Sequence, residues 1–151
     1  MQSRRQALKN STVVAGLLAT TGLFPQFAFA FNKNAFEAKS MSDAIKAFGG
    51  GAMAESKDVV ITAPDIAENG AVVPLGVSST LPGVKRLLLL VEKNPSALVA
   101  MFDVSDAIEP AFSTRAKMGQ SSDVYAVAMM ADGKVLFAKK EVKVTLGGCG
   151  G

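Results

Sequence analysis

From Lys57 onward, apolar and polar residues alternate with a period of two, and this pattern limits the fold more than any other feature of the sequence. Alternation of this kind is typical of strands that bury one face and expose the other. Turn dipeptides such as Asn69-Gly70, Pro82-Gly83 and Asp132-Gly133 separate the alternating runs. The pattern predicts strands at 57–63, 71–79, 84–92, 97–104, 111–118, 122–131 and 134–146.

Short strands at these spacings are typical of an immunoglobulin-like antiparallel β-sandwich, so the predicted fold class is mainly β. Leu87 to Leu90 form a continuous apolar run, which predicts a more deeply buried strand. Ahead of the strands, apolar residues at helical spacing predict one N-terminal helix at 35–48, with Asn34 as its cap. Gly49 to Gly51 end this helix, and its apolar stripe should pack on the sheet, on a partner chain or on both.

The chain has no histidine, which excludes Ser-His-Asp and Cys-His catalytic groups and leaves carboxylates and one thiol for any zinc site. We therefore predict no metal, no cofactor and no catalytic residue. A copper site built from methionines is an alternative, but their places in strand patterns favour core packing. The methionines concerned are Met101, Met118, Met129 and Met130.

The first thirty residues have the pattern of an export signal. Arg4 and Arg5 precede an apolar stretch, which ends in a small-x-small cleavage pattern at Ala30. The paired arginines resemble the twin-arginine consensus, and the stretch is short for a membrane anchor. We predict cleavage between Ala30 and Phe31, export of the folded protein to the periplasm, and no membrane attachment afterwards. The predicted division is a signal at 1–30, a helix plus β-sandwich domain at 31–146 and an arm at 147–151.

Charge gives little reason to predict a charged partner. Three of the 16 Lys and Arg residues and none of the 13 Asp and Glu residues lie in the predicted signal, so the remainder is formally neutral. A neutral chain does not favour binding to nucleic acid or to an anionic membrane. The pairs Lys85-Arg86 and Lys139-Lys140 are predicted to be solvated strand ends rather than an anion site.

Residues 147–151 read Gly-Gly-Cys-Gly-Gly, and Cys149 is the single cysteine of the sequence. Val142, Val144 and Leu146 are predicted to share one face of the preceding strand, which would join the glycines to the sheet without a linker. Because glycine has no side chain and wide backbone freedom, these residues predict a thin, flexible arm that can enter a narrow cleft.

A lone thiol in an exported protein either reacts or pairs with another chain. Nothing nearby in the sequence activates the Cys149 thiol, and this favours a carrier that other proteins load over a catalyst. Two alternatives stay open. The thiol could crosslink two chains of an exported structural β-sandwich through an intermolecular disulfide, or it could be incidental.

The glycine-flanked thiol, after a twin-arginine signal and a β-sandwich, resembles the tail of the Y-type subunit of the bacterial Sox sulfur-oxidation carrier, the SoxY family. The resemblance covers essentially the whole chain. Four stretches of the body also resemble this family, at Glu55–Asp58, Thr62–Ala71, Leu87–Pro95 and Lys117–Ser122.

The resemblance implies a sulfur carrier and not an enzyme, with covalent sulfur adducts on Cys149. It implies a heterodimer with a Z-type subunit that lacks its own signal and is exported with this chain. It further implies that a c-type cytochrome enzyme loads thiosulfate onto the thiol, that a dimanganese hydrolase releases sulfate, and that a sulfur dehydrogenase, where present, oxidises the remaining sulfur. The implied carrier arm consists of Gly147, Gly148, Gly150 and Gly151.

Overall fold

The structure, a computed structural model, describes residues 32–145. Two short helices come first, α1 at Lys33–Glu37 and α2 at Met41–Ala47. Within the described residues the strands that follow are β1 Met53–Glu55, β2 Val59–Thr62, β3 Ile66–Ala67, β4 Val73–Ser79, β5 Val84–Val91, β6 Leu98–Asp103, β7 Ala111–Ala116, β8 Ser122–Met130 and β9 Val135–Val144.

The strands form two sheets with a shared apolar core between them. The larger sheet has the order β1-β9-β8-β5-β6, with β3 also paired to β9, and the smaller sheet has the order β2-β4-β7. Neighbours are antiparallel, except that β1 and β3 run parallel to β9. The predicted immunoglobulin-like β-sandwich is confirmed, and each predicted strand is present. Sequence periodicity did not predict β1 and β3, because runs of three and two residues are too short to show an alternation.

Strand β5 is buried on both faces. Leu87 to Leu90 are each 0% exposed, and the strand lies between β6 and β8. Leu87 and Leu89 face the core between the sheets, whereas Leu88 and Leu90 belong to a second apolar cluster that includes residues of both helices. The continuous leucine run is explained by this double burial, and the predicted deep strand is confirmed.

The predicted single helix at 35–48 is wrong, because the chain forms two helices with separate caps. The side chain of Asn32, not Asn34, accepts a hydrogen bond from the amide three residues on. Ser40 does the same for α2, and the backbone at Ala38 is extended between the two helices. A serine that caps a new first turn competes with continuation of the helix, and here the cap prevails.

Helix α2 ends at the predicted glycines. Gly49 has φ of 76°, and its amide donates to the carbonyl of Lys46, while the amide of Gly50 donates to the carbonyl of Ile45. These two bonds satisfy carbonyls that the end of a helix leaves free. Ala44 and Ile45 are buried in the cluster shared with β5, so the predicted packing of the apolar stripe on the sheet is confirmed.

The methionines pack in the core, as predicted. Met118 is 0% exposed, and Met101, Met129 and Met130 lie partly buried against the two apolar clusters. Across residues 32–145, no three His, Cys, Asp or Glu side chains lie close enough together to hold a metal ion. Over the same range, neither helix is long and apolar enough to cross a membrane.

Three of the four residues in the two basic pairs make ion pairs, which the prediction of solvated strand ends did not include. Arg86 lies 4.7 Å from the centre of the Phe48 ring and makes a 2.6 Å ion pair with Asp103, so it is not simply a solvated strand end. Lys85 is exposed, as predicted. The Lys139-Lys140 pair is also bound, and Lys140 helps to hold strand β3 in place.

Candidate functional site

Cys149 and the predicted glycine arm at 147–151 lie outside the described residues. So do the predicted export signal with Arg4 and Arg5 and the predicted cleavage site at Ala30 and Phe31. The structure does describe the segment from which the arm leaves the fold. We call residues 143–145 the arm root, since Thr145 is the last described residue and precedes Cys149 by four positions.

The arm root lies at the C-terminal end of strand β9. The strand starts at the predicted Asp132-Gly133 turn, where Gly133 has φ of 87°, and it pairs with β8 as far as Val142. Val142 is 0% exposed and Val144 is half-buried, whereas the residues between and beside them are exposed. The predicted faces are thus confirmed over the described part of the strand, and Leu146 lies outside it.

Strand β3 holds one side of the arm root. The amide of Lys143 donates to the carbonyl of Asp65 at 3.0 Å, and the amide of Thr145 donates to the carbonyl of Ala67 at 3.1 Å. The Thr145 hydroxyl donates to the carbonyl of Glu68 at 3.2 Å. These bonds fix the backbone as far as the last described residue.

The loop before β8 holds the other side. The amide of Val144 donates to the Ser121 hydroxyl oxygen at 2.9 Å. The same loop is tied to the turn after β3, because the amide of Met118 donates to the carbonyl of Gly70 at 2.7 Å. The arm root is therefore bonded on both edges, and sequence reasoning predicted neither set of partners.

Lys140 fastens β3 to β9. Its ammonium group donates to the carbonyl of Ala63 at 2.6 Å and lies 3.0 Å from a carboxylate oxygen of Asp65. The Asp65 side chain is 88% exposed, so this ion pair contributes little by itself. The hydrogen bond to the half-buried carbonyl of Ala63 stabilises the fold more than the ion pair does, because a buried acceptor without a donor is costly.

Replacing Lys140 with methionine should loosen the arm root without unfolding the domain. We expect the amides of Lys143 and Thr145 to exchange with solvent about fivefold faster, which corresponds to loss of one hydrogen bond worth about 1 kcal/mol. Lys139→Met is the matched control, because Lys139 is exposed and pairs with Asp123 at 3.4 Å. Hydrogen-exchange mass spectrometry or NMR measures the rates. Equal exchange in the two variants would contradict the role given to Lys140.

Tyr125 lies near the start of β8, and its side-chain pKa is shifted from the usual value for tyrosine. The residue is 8% exposed, and its hydroxyl donates to the carboxylate of Glu92 at 3.2 Å. Burial, and then the nearby charge of Glu92, raise the pKa of Tyr125 to about 12. The group stays protonated at ordinary pH and acts as a fixed hydrogen-bond donor.

This raised pKa predicts a specific loss of stability in alkali. The unfolded tyrosine ionises near 10 and the folded one near 12, so the stabilisation is full below pH 10 and is lost as the pH rises to about 12. The melting temperature of the wild type should therefore fall more steeply across this window than that of Tyr125→Phe. Parallel curves for the two proteins would show that Tyr125 titrates normally.

The described residues form an immunoglobulin-like β-sandwich whose last strand is bonded on both edges near its end, and in the sequence a glycine-flanked cysteine follows this strand. The model of the family described as sulfur oxidation protein SoxY matches residues 45–149, a range that reaches Cys149. The chain belongs to the SoxY family. A comparison with curated proteins finds no match.

Solved structures agree with this assignment. The sulfur carrier protein SoxY from Chlorobium limicola f thiosulfatophilum is 39% identical, with a TM-score of 0.65, over 71% of this chain and 97% of that one. Two structures of the superoxide reductase (neelaredoxin) from Ignicoccus hospitalis match at 20% and 21% identity with TM-scores of 0.52 and 0.51. They cover 70% and 57% of this chain, and 90% and 79% of their own. The latter likeness concerns the fold alone.

Proposed function

We propose that the protein is a covalent carrier of sulfur intermediates in periplasmic thiosulfate oxidation, and that the Cys149 thiol holds them. The observation that carries the proposal is the family match, which extends through the body of the chain to Cys149. The similar protein from Chlorobium limicola f thiosulfatophilum is a sulfur carrier protein, which supports the same role. The carrier is a substrate of its partner enzymes and has no turnover of its own.

Loading would join the thiol to the sulfane sulfur of thiosulfate. With R–SH as Cys149, the step is R–SH + S₂O₃²⁻ → R–S–S–SO₃⁻ + H⁺ + 2e⁻. One sulfur–sulfur bond forms, and a c-type cytochrome enzyme takes the two electrons. The thiolate is the reacting form, so the cleft of that enzyme must supply the base or the positive charge that favours it.

Release would follow in a second enzyme, a dimanganese hydrolase. The step is R–S–S–SO₃⁻ + H₂O → R–S–SH + SO₄²⁻ + H⁺. Water attacks the terminal sulfone sulfur, the bond between the two outer sulfurs breaks, and a persulfide stays on the arm. A sulfur dehydrogenase, where the organism has one, would oxidise that persulfide further.

The described fold suits a carrier because the arm root is bonded on both edges while the reacting atom lies beyond it. The bonded arm root gives the arm a fixed point of attachment, and the glycines are proposed to let the thiol enter the clefts of different enzymes. A Z-type subunit is the proposed permanent partner. Its export together with this chain would explain the predicted twin-arginine signal, since we propose no cofactor for this protein.

The mass of the intact protein tests the proposal. Protein purified from the periplasm of thiosulfate-grown cells should carry sulfur or thiosulfonate adducts that a reductant removes and that Cys149→Ala lacks. A crosslinking thiol would instead give a doubled mass under non-reducing conditions without any small adduct. That second pattern would replace the carrier by the structural alternative.

A further inference from the structure

The turn after strand β3 contains an asparagine followed by a glycine, Asn69-Gly70. Asn69 is exposed, and its side-chain oxygen Oδ1 accepts a hydrogen bond of 2.9 Å from the amide of Ala71. The residue before it helps to hold the arm root, since the Glu68 carbonyl accepts from the Thr145 hydroxyl. A chemical change at Asn69 therefore alters the turn that supports the arm root.

The side chain of Asn69 can react with the backbone of the next residue. The Gly70 nitrogen attacks the side-chain carbonyl carbon, ammonia leaves with the proton of that nitrogen, and a five-membered succinimide ring forms. Glycine has no side chain to obstruct the attack, and no hydrogen bond from the Gly70 amide is found among residues 32–145. The negative charge that develops during the attack lies on Oδ1, where the Ala71 amide already donates, as the donors of an oxyanion hole do.

Water then opens the ring at either of its carbonyl carbons. Opening at the former side-chain carbon gives aspartate. Opening at the former backbone carbon gives isoaspartate, in which the main chain runs through the side chain of residue 69. Both products replace a neutral amide by a carboxylate, and the net reaction takes up water and releases ammonia without any oxidant, reductant or enzyme.

The other asparagines within residues 32–145 lack this combination of features. They are Asn32, Asn34 and Asn94. Asn94 precedes a proline, whose nitrogen carries no hydrogen to lose. Asn34 lies inside α1, and the amide of the residue after it is already bonded to Asn32. The side-chain nitrogen of Asn32 donates to the carbonyl of Ala47 at 2.6 Å, which holds its amide group in place.

The turn at Asp132-Gly133 has the same spacing but resists this chemistry. Aspartate forms the same ring far more readily when its carboxyl group is protonated, because an ionised carboxylate repels the attacking nitrogen. The hydrogen bond from the Lys134 side chain, and then the one from the Lys134 amide, lower the pKa of Asp132. Its carboxyl group therefore stays ionised, and Asn69-Gly70 is the reactive turn of the two.

We propose that Asn69 is a site of spontaneous deamidation and isoaspartate formation, and that its product loosens the arm root. Isoaspartate lengthens the main chain of the turn by a carbon atom, which displaces the Glu68 carbonyl from the Thr145 hydroxyl. The new negative charge also lies beside the acidic side chain of Glu68. The inference is independent of the carrier function, because it concerns a reaction of the chain with water alone.

Ageing of the purified protein tests both parts of the inference. Wild type is incubated in warm, mildly alkaline buffer, and peptide mapping by mass spectrometry measures aspartate and isoaspartate at each asparagine. Asn34 and Asn94 serve as references inside the same chain, so the comparison does not depend on a variant that folds. Gly70→Ala places a methyl group beside the attacking nitrogen, and Asn69→Gln keeps an amide that would need a larger ring. The converted fraction is separated by ion exchange, and hydrogen exchange at the Thr145 amide is compared with that of fresh protein.

We expect conversion at Asn69 to be about tenfold or more faster than at Asn34, and Gly70→Ala to slow it. The Thr145 amide should exchange about fivefold faster in the converted fraction, as loss of one hydrogen bond predicts. Equal conversion at Asn69 and Asn34, or none at Asn69, would overturn the reactive site. Unchanged exchange at Thr145 after conversion, or an equal rise in aged Asn69→Gln, would overturn the effect on the arm root.

Discussion

Replacing Cys149 with serine is expected to abolish thiosulfate oxidation in cells whose oxidation depends on this protein. A serine hydroxyl cannot form the sulfur–sulfur bond on which each proposed step depends, so the rate should fall to that of a deletion strain. Thiosulfate consumption and sulfate production by complemented deletion strains measure the effect. Thr145→Ser is the matched control, since it keeps the hydroxyl that donates to Glu68 and should support wild-type rates.

The serine variant should also fold normally. Both apolar clusters of the sandwich are formed by described residues ahead of the arm, so its melting temperature should match that of wild type. Loss of oxidation together with a lowered melting temperature would point to a structural role for the thiol. Wild-type oxidation by a normally folded serine variant would exclude the carrier role.

Leu89→Ala is expected to be strongly destabilising. Leu89 is 0% exposed in β5, an interior strand of the larger sheet, and belongs to the core between the sheets. Removing its buried methyl groups leaves a cavity that costs about 3 kcal/mol, which should lower the melting temperature by about 10 °C or more. Thermal unfolding followed by circular dichroism measures the change.

Val60→Ala is the matched control for the core substitution. Val60 lies in β2 and is 47% exposed, so truncating it should change stability by less than about 0.5 kcal/mol. Similar changes in melting temperature for Leu89→Ala and Val60→Ala would contradict the placement of Leu89 in the core between the sheets. A large shift for Leu89→Ala alone would support the burial of this face of β5 in the core between the sheets.

Sequence reasoning succeeded where burial dictates the pattern. The alternation after Lys57 and the run Leu87–Leu90 reflect which faces are covered, so the strands could be predicted from them. The prediction of a single helix at 35–48 was wrong because hydrophobic periodicity does not show where a local capping bond interrupts a helix. The hydroxyl of Ser40 caps a new helix, and this short-range bond outweighs the continuing apolar stripe.

Some features of the candidate site could likewise be predicted from the sequence, and others could not. The carrier class was expected from the glycine-flanked thiol and from its resemblance to the SoxY family, and the family match supports it. The attachment of sulfur to Cys149 stays a prediction. The attachment of the arm could not be predicted, because its partners are distant in sequence. Ser121 is 23 positions from Val144, and Glu68 is 77 positions from Thr145. Such bonds depend on tertiary packing, and so does the pairing of the two residues of β3 with β9.

Isotope tracing of the sulfane sulfur tests most directly whether Cys149 carries the substrate. Cells are given thiosulfate with a heavy sulfur isotope in the sulfane position, and the peptide that follows Lys143 is isolated and weighed. We expect the label on Cys149 in a form that reductant removes, whereas label placed in the sulfonate position should leave as sulfate. A peptide that stays unlabelled while the cells consume the thiosulfate would contradict the carrier role.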